Sequence, residues 1–179
     1  TSTPMGKRLL FSWILNPLLD KKSIEERLEK VDKLFADRNG LEQIREKLNE
    51  IGDVERIVGK IGLGRVNARD FNSLQLSLKN FLEITDILKK DFNISFDIDE
   101  KLVNGLIEKI EKTISDSPPL TILEGDILKT GFNKEVDELR SLAGDSKTWL
   151  AEFEAKEKKD TGIPSLKISF NNVFGYYIE

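Results

Sequence analysis

Across residues 133–179 the spacing of apolar side chains changes from near four to two, and this change constrains the fold more than any other feature. In NKEVDELRSLAGDSKTWLAEFEAKEKKD the apolar positions are Val136, Leu139, Leu142/Ala143, Trp149/Leu150 and Phe153, with charges between them. Three-to-four spacing puts them on one face of a single amphipathic helix. Asn133 supplies its N-cap, Thr161-Gly162 its end, and Pro164 prevents its continuation. At about 1.5 Å per residue the helix would run roughly 40 Å, a strut rather than an ordinary globular helix. Beyond Pro164, Leu166-Lys167-Ile168-Ser169-Phe170 alternates apolar and polar, Asn171-Asn172 can turn the chain, and Gly175-Tyr176-Tyr177-Ile178 opens a second strand.

The preceding residues carry helical spacing almost throughout. Thr3 caps a first helix with Pro4 in its first turn and Leu9, Leu10, Trp13 and Ile14 as its stripe. The stripe predicts a largely buried Trp13, and Gly6 predicts a close backbone approach. Ser23-Ile24-Glu25-Glu26 reads as a capping box for a second helix through Leu28, Val31 and Phe35, broken by Asp37-Arg38-Asn39-Gly40. A third helix runs through Leu41, Ile44 and Leu48, and Gly52-Asp53 caps a fourth through Val54, Ile57, Val58 and Ile61. Asn67 opens a longer helix through Phe71, Leu74, Leu78, Phe81/Leu82 and Leu88. After a loop, Ile98, Leu102, Leu106, Ile110 and Ile114 mark a sixth, ended by Ser117-Pro118-Pro119. Residues 120–132 read as an irregular crossing with a short strand. The fold class is therefore all-α: a multi-helix bundle with a long helix that carries a short β-hairpin at its C-terminal tip.

Composition narrows the chemistry. The chain of 179 residues has neither Cys nor His, so thiolate and imidazole metal sites, Cys nucleophiles and disulfides are excluded. A net charge of −4 argues against a surface devoted to nucleic acid. No apolar run reaches membrane-spanning length, and Thr1 reads as an internal start, with no signal peptide and no initiating Met.

Four features invite chemistry. Gly59-Lys60-Ile61-Gly62-Leu63-Gly64-Arg65 resembles a phosphate loop but lacks a preceding strand and a Gly-Lys-Ser/Thr ending, so it reads as a helix end and turn. Carboxylates four residues from a base, such as Glu154–Lys158 and Glu26–Lys30, read as solvated faces of helices. Lys156, Lys158, Lys159 and Lys167 gather positive charge near the end of the strut, diluted by Glu154, Glu157 and Asp160. Phe170, Phe174, Tyr176 and Tyr177 suit either base stacking or, by preference, the core of a small sheet. No residue is assigned a catalytic role.

SLKISFNNVFGYYIE resembles the entry to the clamp domain of the MutS family of DNA mismatch-repair proteins. TPMGKRLLFSWILNPLLD is similar to the start of that family's core domain, as are Gly52-Asp53-Val54-Glu55-Arg56 and Leu63-Gly64-Arg65. The order of these landmarks follows the family over almost the whole chain. The resemblance implies a core helical bundle at 1–132, a lever helix at 133–163 and the first strands of a clamp at 164–179, with further clamp strands after Glu179. It implies a mechanical role, coupling a DNA-gripping clamp to an ATPase domain. It also implies no catalytic site and no cofactor in this stretch, with ATP and Mg²⁺ used by the parent protein. Implied partners are duplex DNA, a second MutS subunit and the ATPase domain of the same chain, in a cytoplasmic, nucleoid-associated setting and with no membrane. On the same ground Lys158, Lys159, Lys167, Asn171 and Asn172 are candidates for contact with the DNA backbone. Arg8, Asp53, Glu55 and Arg56 are candidates for an ion pair that pins the first helix. The rival reading is a stand-alone helical adaptor that binds proteins through an apolar groove.

Overall fold

Oxygen-bearing side chains set where the helices of this chain begin, because the first backbone N–H groups of a helix have no partner within it. The computed structural model describes residues 1–171, 173 and 175–179, apart from the side chains of 143–147. Ala143 of the strut stripe, and Asn172 and Phe174 of the hairpin, therefore lie outside the described residues. Helix α1 (Pro4–Leu15) starts at Thr3, whose Oγ1 accepts from Gly6 N at 3.0 Å. For α2 (Lys21–Ala36) the cap is Asp20, which accepts from both the N–H and the hydroxyl of Ser23. The expected capping box at Ser23 is thus corrected: a charged acceptor three residues earlier takes the serine as its donor. Helix α3 (Arg38–Asn49) starts on Asp37, so the expected four-residue break is a single residue.

Asp53 caps α4 (Val54–Gly62), and a reciprocal box between Asn67 and Asp70 opens α5 (Ala68–Phe92). Helix α6 (Glu100–Thr113) starts on Asp99, which leaves Ile98 outside it. It also ends before Ser117-Pro118-Pro119, because Ile114 turns extended and bridges Leu128 in antiparallel fashion. Backbone bonds from Ser115 N to Ile127 O and from Lys129 N to Thr113 O, both 2.8 Å, hold that crossing. Within the crossing, residues Ile122–Glu124 form one 3₁₀ turn.

The chain divides into two compact units, Thr1–Lys129 and Thr130–Glu179. In the first, α5 is the common wall of two apolar clusters. One joins Ile44 of α3 to Ile84 and Phe92 of α5 and to Ile94. The other joins Ile57 of α4, Leu74 of α5 and Ile110 of α6. Between them lies a polar seam. Ser77, 1% exposed, donates to Ser73 O at 2.6 Å and accepts from Gly52 N at 2.9 Å. Asn80, also buried, donates to Glu50 Oε2 at 3.1 Å. A Cβ on Gly52 would stand 2.6 Å from Ser73 Oγ, so a larger residue in the α3–α4 link would require that hydroxyl to turn away.

Helix α1 departs from expectation. None of its residues is buried, and Trp13 stays 40% exposed. The expected burial of Trp13 is corrected: one ring face is covered by the Arg27 guanidinium, 3.7 Å from the ring centroid, and no apolar core closes over the rest. Nor does Gly6 mark a close helix contact, since an added Cβ would approach only Thr3 Oγ1 and Thr1 Cβ.

The second unit is α7 (Lys134–Thr161), 28 residues capped by Asn133 and ended by Gly162, followed by β1 (Ile168–Asn171) and β2 (Gly175–Ile178). The strands pair antiparallel, with Ile168 opposite Ile178, Ser169 opposite Tyr177 and Phe170 opposite Tyr176. Among the described residues the chain is an all-α fold that carries one small hairpin.

Close packing inside α3 yields a prediction. Gly40 is buried inside α3, and a Cβ there would lie 2.6 Å from Cζ of Phe92 and 2.8 Å from Oδ2 of its own cap, Asp37. Gly40→Ala should therefore lower stability by about 1–3 kcal/mol despite alanine's better helix propensity. Urea unfolding checks this, and an unchanged or raised midpoint would show that Phe92 yields without cost.

Candidate nucleic-acid interface

A two-stranded hairpin is marginal by itself in water, so what fastens this one decides what it can do. Its ladder begins one residue before the named strands: Lys167 N donates to Glu179 O at 2.8 Å, and Glu179 N returns a bond to Lys167 O at 2.9 Å. Antiparallel pairing alternates, so the N–H of Ile168 faces away from β2, along the outer edge of β1. Glu154 of α7 takes that N–H on Oε2 at 3.2 Å, while its Oε1 holds Lys158 Nζ at 2.6 Å. The bond from Lys158, then the Ile168 N–H, hold the Glu154 carboxyl below the usual carboxylate range, with Lys167 adding to the effect. Leu166, at the entry to β1, is buried.

The aromatic residues do not form a closed sheet core. Phe170 and Tyr176 face each other across the strands, centroids 5.0 Å apart, yet both remain exposed, and Tyr177 is at the border of exposure. Two strands cannot cover both of their own faces, which is why the preferred reading of these residues as sheet core is corrected. On α7, Trp149 and Phe153 stack at 5.2 Å with rings nearly parallel, and Trp149 too is exposed.

The basic residues separate into two kinds. Lys158 is committed to Glu154. Lys156, Lys159 and Lys167 lie exposed, and their ammonium groups join no ion pair among the described residues. Asn171 is turned inward to the hairpin bend, where Oδ1 accepts from Val173 N at 2.9 Å. Asn172 lies outside the described residues. The second half of Glu154's role was hidden in the sequence, where Glu154–Lys158 reads as a surface pair. A carboxylate in the last turns before a strand entry is the only signal that could have disclosed it. In α2, Glu26 faces Lys22 instead of Lys30.

The other candidate cluster lies in the first unit. Arg8 of α1 donates from Nη1 and Nη2 to both oxygens of Asp53, at 2.9 and 2.7 Å, and from Nε to Glu55 Oε2 at 2.9 Å. Asp53 and Glu55 flank the start of α4, where negative charge suits the helix dipole. Arg56 contributes its backbone N–H to Asp53 Oδ1, at 3.2 Å, and its guanidinium joins no ion pair among the described residues. The Arg8 guanidinium holds Asp53 down at about 2, and the two carboxylates push Arg8 up. The glycine-rich stretch 59–65 is occupied by the end of α4 and its turn, and Lys60 is bound to Asp70 at 2.6 Å. A phosphate does not fit there: the backbone N–H groups are used in the helix and the lysine is already paired.

Comparison with known proteins adds three findings. The sequence model of the family described as MutS domain III matches residues 1–168. The chain is 41% identical, over its whole length, to the DNA mismatch repair protein MutS of Bacillus cytotoxicus, of which it covers 20%. It is 43% identical, again over its whole length, to the protein of the same name from Caldanaerobacter subterraneus subsp. tengcongensis, covering 21% of it. The chain thus spans about a fifth of the length of the curated relatives it matches.

The Arg8 cluster sets a pH dependence. Asp53 has a folded pKa of about 2 against an ordinary 3.8, so the unfolded chain takes up the proton more readily. The contribution of this group to stability is complete above 3.8 and is lost as pH falls through the window down to about 2. Urea midpoints across that window should fall more steeply for the wild type than for Arg8→Ala. Parallel slopes would mean that the ion pair is not formed in solution.

Proposed function

The chain belongs to the MutS family of DNA mismatch-repair proteins, and from that premise we propose that it is the core and lever through which DNA contact and nucleotide state influence each other. The observation that carries this reading is α7, an uninterrupted 28-residue helix that leads from the helical unit in sequence to a hairpin bonded to its last turns. A continuous hydrogen-bonded helix resists bending, so displacement at one end reaches the other. Coupling of this kind requires each ligand to favour one of two arrangements, and a long unbroken helix is an element that can carry such a shift.

In this reading the hairpin grips duplex DNA through the sugar-phosphate backbone and reads no sequence. Lys159 and Lys167, helped by Lys156, supply charge to phosphates, and Lys158 contributes less because Glu154 already neutralises it. Asn171 serves the bend first. The nucleotide chemistry, with ATP and Mg²⁺, we assign to another part of the full-length protein, together with contacts to a second subunit. The residues of this chain supply positioning alone. No helix among the described residues is long and apolar enough to cross a membrane.

Two titrations test the reading. Homoduplex and single-mismatch DNA should bind this chain equally and weakly, since the lysines at the tip are interleaved with acids. In the full-length protein, Lys159→Ala and Lys167→Ala should each lower the slope of log affinity against log salt by about 0.9, uniformly across sequences. Tight, mismatch-selective binding by the chain, or unchanged slopes in both variants, would place the DNA contact elsewhere.

A further inference from the structure

The hairpin is joined to α7 by more than the covalent link through residues 162–167. One carboxylate spans the two elements: Glu154 accepts the outward N–H of Ile168 and the ammonium of Lys158 at once. The Ile168 N–H has no partner within the ladder, so another acceptor here must be water or a side chain. A water bond would leave the outer edge of β1 free to swing. A side chain rooted in α7 fixes it, and Lys158, one turn further along the helix, holds the second oxygen so that the carboxylate cannot rotate away. Buried Leu166 lies on the covalent path between them.

We propose that Glu154 is the positioning residue that transmits movement of α7 to the hairpin, acting by its hydrogen bond to the backbone of β1. This inference rests on the lever reading above and goes further by assigning the transmission to one side chain. It also separates two roles that the same geometry permits. If Glu154 served only to mask Lys158, removing its charge would strengthen DNA binding. As a positioning residue, it must keep an acceptor at Ile168, charged or not.

Glu154→Gln and Glu154→Ala separate these roles, since glutamine keeps a carbonyl oxygen and alanine keeps nothing. In this chain, the Ile168 amide of Glu154→Ala should exchange hydrogen about tenfold faster or more, as expected for loss of a bond to a charged acceptor. The amides of Lys167 and Glu179, bonded to each other across the ladder, should keep their protection in both variants, which also reports that the hairpin is folded. In the full-length protein, the factor by which homoduplex DNA changes affinity for a non-hydrolysable ATP analogue should fall about fivefold or more in Glu154→Ala. It should stay within about twofold of wild type in Glu154→Gln.

Two results overturn the proposal: wild-type coupling and exchange in the alanine variant, which would leave Glu154 as a mask for Lys158 alone, or glutamine no better than alanine. Absence of coupling in the wild type would instead overturn the lever reading, and the exchange measurement would still decide whether Glu154 fastens the strand.

Discussion

Burial of α5 is the constraint on which the helical unit depends. A helix of 25 residues presents more surface than one neighbour can cover. Here α3 covers it near Ile84 and Phe92, while α4 and α6 cover it near Leu74. Each neighbour alone would leave an apolar stripe in water, so the pieces are stable only together. The polar seam of Ser77 and Asn80 fixes how they meet. Both side chains are buried with their bonds satisfied, so sliding the α3–α4 link along α5 would strand polar groups away from water. Apolar burial thus supplies the attraction, and the seam specifies the register.

Where burial is thin, charge takes over. Helix α1 buries nothing, and its specific ties are the fork of Arg8 on Asp53 and Glu55 and the stack of Trp13 beneath Arg27. We propose that the Arg8 fork orients α1 more than it stabilises it, because exposed ion pairs are screened and contribute little. The same division holds at the hairpin, where exposed Phe170 and Tyr176 give little closure and Glu154 supplies a directed bond.

Much of this was legible in the sequence, for reasons that are local. Asn133, Gly162, Asn67, Asp53 and Thr3 act at helix ends as their chemistry requires, and the change to alternation after Pro164 is the hairpin. The failures have a common origin. Ser23 loses to Asp20 because two capping signals overlap and the charged one wins. Trp13 carries a perfect core stripe, but a stripe states only that a face is apolar, not what covers it. Helix α6 ends early because Ile114 pairs with Leu128, a partner fourteen residues away that periodicity cannot see. In the candidate site the lysines were visible by type, whereas the dual bonding of Glu154 depends on where β1 begins after the turn at Pro164.

The central claim is that α7 works as a continuous strut. Glu152→Pro, well inside the helix and outside every apolar cluster, removes one backbone bond and clashes with the preceding turn, while Glu152→Ala preserves the helix. In the full-length protein, the direct measurement is the change in ATP-analogue affinity caused by bound homoduplex DNA. The account predicts that Glu152→Pro abolishes this coupling while each ligand alone still binds, and that Glu152→Ala matches wild type. Undiminished coupling in the proline variant, with the kink verified by loss of helical signal, would contradict it.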